Sequence, residues 1–129
     1  LLYAAATGDL AAHSDLEWGS SAAVAVVLAA AGYPGTPTTG GVITGVEAAT
    51  RNGSAVIHAG TALDQQGNLI SAGGRVLAVV GLGEDIEAAR GRAYESIAEI
   101  QLAGSFYRHD IAATSTYRRD AGAARLVVS

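Results

Sequence analysis

The stretch Ala22-Ala23-Val24-Ala25-Val26-Val27-Leu28-Ala29-Ala30-Ala31-Gly32-Tyr33-Pro34-Gly35 decides the fold class. Its alanines favour a helix, whereas Val24, Val26, Val27 and Leu28 favour a strand. Length arbitrates. An apolar run of about ten residues, stopped sharply by Gly-Tyr-Pro-Gly, suits a buried strand better than a helix. Downstream, Thr36-Pro37-Thr38-Thr39-Gly40-Gly41 has turn chemistry throughout. Three further strands are expected at Val42–Val46, Ala55–Leu63 and Arg75–Leu82, with Asn52-Gly53 as a turn before the second. Asp64-Gln65-Gln66-Gly67-Asn68 is a hairpin-sized link to Leu69-Ile70-Ser71.

One long helix opens after Gly83. Ile86, Ala89, Ala93, Ile97 and Ile100 recur at spacings of three and four, while Glu87, Arg90, Glu95 and Glu99 face elsewhere. Glu84 and Asp85 stand at its start, where negative charge suits the helix dipole, and Gly104 is expected to end it. Leu1–Leu10 has the pattern of a helix tail capped by Gly8. Leu16-Glu17-Trp18 and Ser105-Phe106-Tyr107-Arg108 are candidate short strands. The expected class is α+β: a small, mostly antiparallel sheet or partial barrel with one long helix.

Composition narrows the function classes. The 129 residues fit a single domain and can bury a core without staples. Half of them are hydrophobic and 16% are charged, which excludes a disordered chain. There is no Cys and no Met, and all eight basic residues are Arg. The want of Cys removes disulfides, thiolate nucleophiles and cysteine zinc sites; the want of Lys removes biotinyl or lipoyl attachment and Schiff bases. Without Met, the chain is expected to be a piece of something longer. A net charge of −4 argues against nucleic acid as a partner. The longest apolar run is about half of the roughly 20 residues a membrane span needs, and nothing in these residues resembles a signal peptide. A cytoplasmic protein without a membrane partner is expected.

Few residues suggest chemistry. His58 shares a strand face with Val56 and Gly60, and reads first as a half-buried histidine with one structural hydrogen bond. His13 and His109 stand beside acids in polar stretches and read as surface residues. No His and carboxylate pair has metal-ligand spacing. Gly73-Gly74-Arg75 is sharper: two glycines let a backbone approach a ligand, and the guanidinium offers a fork for carboxylate or phosphate. A Gly-Gly turn followed by a solvated edge-strand Arg stands equally open. Gly81-Leu82-Gly83 lacks the third glycine of a dinucleotide fingerprint and reads as a strand-to-helix turn. Arg118-Arg119, with Arg108 and Arg125, gives the C-terminal stretch a basic bias. Trp18, Tyr33 and Tyr94 read as packing residues with polar handles.

Taken in order, several of these motifs resemble the C-terminal domain of the phosphoribosylamine–glycine ligase (GAR synthetase) family. They are Leu16-Glu17-Trp18, Ala22–Leu28 ending in Gly32-Tyr33-Pro34-Gly35, Val42-Ile43-Thr44-Gly45 and His58-Ala59-Gly60-Thr61. Gly73-Gly74-Arg75-Val76-Leu77, Ala93-Tyr94 and Tyr107-Arg108-His109-Asp110-Ile111 complete the series. The resemblance implies an ATP-grasp ligase of purine biosynthesis that joins glycine to 5-phosphoribosylamine, with ATP and Mg or Mn in the intact enzyme. It places the nucleotide and metal in parts that precede Leu1, so this fragment is expected to bind no cofactor and to be inactive alone.

It further implies a domain that packs against the N-terminal and ATP-grasp parts and helps to close the substrate cleft. Residues 1–13 become the tail of the last ATP-grasp helix, 14–111 the ligase domain and 112–129 a tail. Gly73, Gly74 and Arg75 become substrate-facing, with His58 and Thr61 in the same region. Arg75 would grip either the carboxylate of glycine or the phosphate of phosphoribosylamine. Two departures stand out. Pro37 and Thr39 occupy a loop that often carries an aromatic residue and a Lys in the family, and the family's Ile-Gly is here Ile111-Ala112. The reading from another class is a stand-alone binding or scaffolding domain of the same fold, without ATP chemistry.

Overall fold

The computed structural model describes residues 1–12 and 18–113. Strand β1 (Ala22–Ala29) is the stretch that decided the class, and it pairs antiparallel with β5 (Arg75–Gly83). On its other edge β5 pairs antiparallel with β2 (Ala55–His58), so the first sheet runs β1-β5-β2. A second sheet is the hairpin of β3 (Thr61–Leu63) and β4 (Leu69–Ser71). Its turn is held by Asp64, whose carboxylate accepts the N–H groups of Gln66 and Asn68 at 2.9 and 2.8 Å and the Asn68 side-chain amide at 2.9 Å. The Asn68 amide, more than any other group, holds the Asp64 carboxyl below its ordinary value. Helices are α1 (Leu2–Thr7), α2 (Val46–Arg51) and α3 (Ile86–Ala98). Among the described residues none is long and apolar enough to cross a membrane.

Helix α3 covers one face of the three-stranded sheet. Val24, Val26 and Leu28 of β1 and Leu77, Val79 and Gly81 of β5 point to it and are buried with Ala89, Ala93 and Ile97. The helix sits unusually close because two glycines lie beneath it. A Cβ on Gly81 would fall 2.3 Å from the Ala89 carbonyl oxygen, and one on Gly83 would fall 2.3 Å from the Ala89 nitrogen. These glycines serve helix-to-strand packing. Asp85 caps the helix through the Ala88 N–H at 2.8 Å. Beneath it the buried Ser96 hydroxyl donates to Ser54 at 2.8 Å, so neither is left unsatisfied.

The chain after α3 is clasped to the same helix. Tyr94 donates its hydroxyl to the Arg108 carbonyl at 2.6 Å and accepts the Ile111 N–H at 3.1 Å. Arg90 lies over the Tyr94 ring and donates to the carbonyls of Ile111 and His109 at 2.9 and 2.7 Å. Ala112 closes this segment in the left-handed region at φ 57°, the position where the resemblance expects glycine.

Several expectations are corrected. Val42–Val46 makes only isolated bridges, Val42 with Ile70 and Thr44 with Gln101, because Gly45 turns left-handed at φ 82° and Val46 starts α2. Ala55–Leu63 is two strands broken at Ala59-Gly60, where the chain changes sheets. Helix α3 ends at Ala98, well before Gly104, since Gln101 leaves the helix to exchange backbone hydrogen bonds with Thr44. Ser105–Arg108 contributes one bridge, Phe106 to Ala29. The α1 helix and its left-handed Gly8 cap are present, yet Leu1 and Leu2 are exposed and only Ala4 is buried. Trp18, expected to be a packing residue, is instead 83% exposed. His13, most of the Leu16–Trp18 strand, Arg118, Arg119 and Arg125 lie outside the described residues.

Candidate functional site

The site begins with a slip in the β1–β5 ladder. Leu28 pairs with Leu77 but Ala29 pairs with Arg75, which leaves Val76 as an extra residue. Such a bulge reverses the side-chain alternation. Val76 and Leu77 both enter the core, and Arg75 is turned to the sheet face away from α3, where it is exposed.

That face has no cover among the described elements, and its residues are apolar. Ala23, Ala25 and Val27 of β1, Ala78, Val80 and Leu82 of β5, and Ala55 and Ile57 of β2 share it by register. Val27 is 42% exposed, Leu82 47% and Ile57 56%. An antiparallel sheet with one face in water ordinarily puts polar residues there. Contiguous exposed apolar surface of this kind marks an interaction site.

At one end the face deepens into a cup of about 620 Å³, within the usual size range of small-molecule sites. Val27, Ile57 and Ala78 form its floor, Tyr33 and Pro34 a wall, and Arg75 is its one charged residue. Gly74 lines it too, and needs to be glycine because a Cβ there would meet the Tyr33 ring at 2.5 Å. Gly60 is equally constrained, since its Cβ would lie 2.7 Å from the Arg75 carbonyl oxygen and 2.8 Å from Gly73 Cα. The two glycine turns are bonded together: Gly60 N–H donates to Arg75 at 2.9 Å, and Ala72 N–H donates to Gly60 at 2.7 Å.

The five residues singled out from sequence are therefore neighbours, but they do not all face one hollow. Gly74 and Arg75 line the cup, and Gly73 packs against Gly60 behind it. His58 lies on the opposite face by register, is exposed, and lines a second hollow with Thr44, Glu47, Arg51 and Leu69. Its Nδ1 is 3.1 Å from the Thr61 hydroxyl, the single hydrogen bond that its strand position suggested. Among the described residues no group of three or more His, Asp, Glu or Cys is placed to hold a metal ion. Tyr33 was read only as a packing residue, and Pro34, Ile57 and Ala78 were not expected at a site. Their signal was there in β1, whose inward and outward positions are both apolar, unlike a strand with one wet face.

Known proteins give the same grouping. The family described as phosphoribosylglycinamide synthetase, C domain, matches residues 23–114. A phosphoribosylamine–glycine ligase of Mycobacterium tuberculosis is 50% identical over 111 residues, which are 86% of this chain and 25% of that protein. The chloroplastic enzyme of the same name from Arabidopsis thaliana is 46% identical over 113 residues, or 86% of this chain and 21% of that one. The crystal structure of the Thermotoga maritima phosphoribosylamine–glycine ligase superposes with a TM-score of 0.62 at 44% identity, over 69% of this chain and 21% of that one. The chain thus spans about a quarter of the length of the relatives it matches. With a family model matched over residues 23–114 and these relatives alongside it, the chain belongs to the phosphoribosylglycinamide synthetase C-domain family.

Proposed function

We propose that this chain is the C-terminal domain of an ATP-dependent ligase that joins glycine to 5-phosphoribosylamine, a cytoplasmic step of purine biosynthesis. The observation that carries the reading is half identity, across most of the chain, to proteins named phosphoribosylamine–glycine ligase. The apolar open face supports it, because a domain that packs against the N-terminal and ATP-grasp parts of a ligase needs such a surface. Residues 1–13 then end the preceding part, 14–111 form the domain and 112–129 a tail. On this reading ATP and Mg or Mn are held by the other parts of the ligase.

In the reaction, ATP phosphorylates the glycine carboxylate and leaves as ADP. The phosphoribosylamine nitrogen then attacks the acyl carbon, the bond to phosphate breaks and the nitrogen loses a proton. The domain supplies no reacting group to these steps. Its part is to wall the cleft with the cup and to grip an anionic group through Arg75, whose fork suits carboxylate or phosphate. His58 and Thr61 support the turn from behind.

The test is ADP release that depends on both glycine and phosphoribosylamine. The longer protein that carries this chain should show it, and the chain alone should not. Release of ADP by the isolated chain would contradict the reading, and so would a longer protein lacking the activity.

A further inference from the structure

We infer that the cup receives the phosphate-bearing substrate, with its phosphate on Arg75 and Gly74, and does not receive glycine; this rests on the ligase reading above. The choice follows from what the cup offers and what it lacks. Arg75 is the one charged residue of the lining, and no Asp or Glu is among it. Glycine carries its ammonium on the carbon next to its carboxylate, so a carboxylate held by Arg75 would bring that ammonium close to the guanidinium, with no Asp or Glu in the lining to pair it. Like charges so near each other repel, and the lining offers nothing to offset them. In a sugar phosphate the amine and the phosphate stand at opposite ends of the ribose. The phosphate can sit on Arg75 while the amine reaches out towards the rest of the ligase.

Donors are also available for the extra oxygens of a phosphate. Among the described residues the N–H groups of Gly73 and Gly74 donate to no other group, and Gly74 lines the cup beside Arg75. A guanidinium fork with a neighbouring main-chain N–H is a recurrent way to hold phosphate. Tyr33 and Pro34 then present an apolar wall to the carbon face of the sugar. Tyr33 also fixes the turn, because its ring packs where Gly74 would carry a Cβ.

The experiment is the steady-state KM of each substrate in the intact ligase, for the native protein, Arg75→Gln and Arg75→Lys. The KM for phosphoribosylamine should rise about tenfold or more in Arg75→Gln, the scale of one lost charge-assisted pair, while the KM for glycine stays within about twofold. Arg75→Lys, which keeps the charge and loses the fork, should fall between. A rise confined to glycine overturns the inference and leaves Arg75 as a substrate grip. No rise for either substrate overturns the inference and removes that grip from the proposed function as well. Arg75 is exposed, so the melting temperature of the isolated Arg75→Gln chain should match the native one and show that the fold is kept.

Discussion

The two faces of the β1-β5-β2 sheet carry the same kind of residue and meet different fates. Towards α3, Val24, Val26, Leu28, Leu77 and Val79 are buried, and Gly81 and Gly83 let the helix settle almost onto the strand. Away from α3, Val27, Ile57 and Leu82 are exposed on a face of equal apolarity. Composition therefore does not separate core from interface here; cover does. The covered face gives this chain its own fold, and the open face, ending in the Arg75 cup, is the surface it offers to a larger protein.

The comparison can be broken most forcefully at Gly81. A Gly81→Val side chain would meet Ala89 backbone, which cannot move aside as a side-chain tip could. The loss should reach about 3 kcal/mol or more, seen as a lower urea midpoint. An unchanged midpoint would mean that α3 does not sit as closely as described. At Ala112, which packs against the covered core, Ala112→Gly should stabilise by about 0.5–1 kcal/mol, because glycine takes positive φ without strain. A destabilised variant would show that the alanine is not strained there.

The open face predicts the opposite response. Ile57→Asp in the isolated chain should cost only about 1 kcal/mol, mostly the poorer strand propensity of Asp, because more than half of the side chain is already in water. A loss as large as that at Gly81 would place Ile57 in the core. The hairpin turn sharpens the contrast through a carboxylate of its own. Its Asp64 carboxyl is held below its ordinary value, chiefly by Asn68, so its stabilisation is full above the unfolded value and is lost as pH falls through the folded one. The amide resonances of Gln66 and Asn68 should move in acid while those of Val26 and Val79 in the covered sheet stay still. Joint movement would tie the turn to the packing of the core.

Much of this was legible in the sequence, and the failures have physical causes. The helix periodicity of Ile86–Ile97 and the stop at Gly32-Tyr33-Pro34-Gly35 act locally, and both elements are where the residues put them. Val42–Val46 misled because its apolar residues are spent on separate bridges and on starting α2, which depends on a left-handed Gly45 packed against Glu99. The end of α3 depends on Thr44, far away in sequence. At the site, Gly73-Gly74-Arg75 stood out as a motif. That Arg75 shares a cup with Tyr33 and Ile57, while His58 faces the other way, depends on one extra residue in the β5 ladder. No spacing rule shows such a slip.

The central claim is that the open face seats this domain on the rest of a ligase. The most direct test is Leu82→Asp, on the open face but outside the cup, placed in the intact enzyme, with kcat/KM measured beside the melting temperature of the isolated variant chain. Burying an unpaired carboxylate in an apolar contact should cost several kcal/mol, so kcat/KM should fall by about tenfold or more while the isolated chain melts only a few degrees lower. An intact enzyme that keeps full activity with Asp at position 82 would contradict the account.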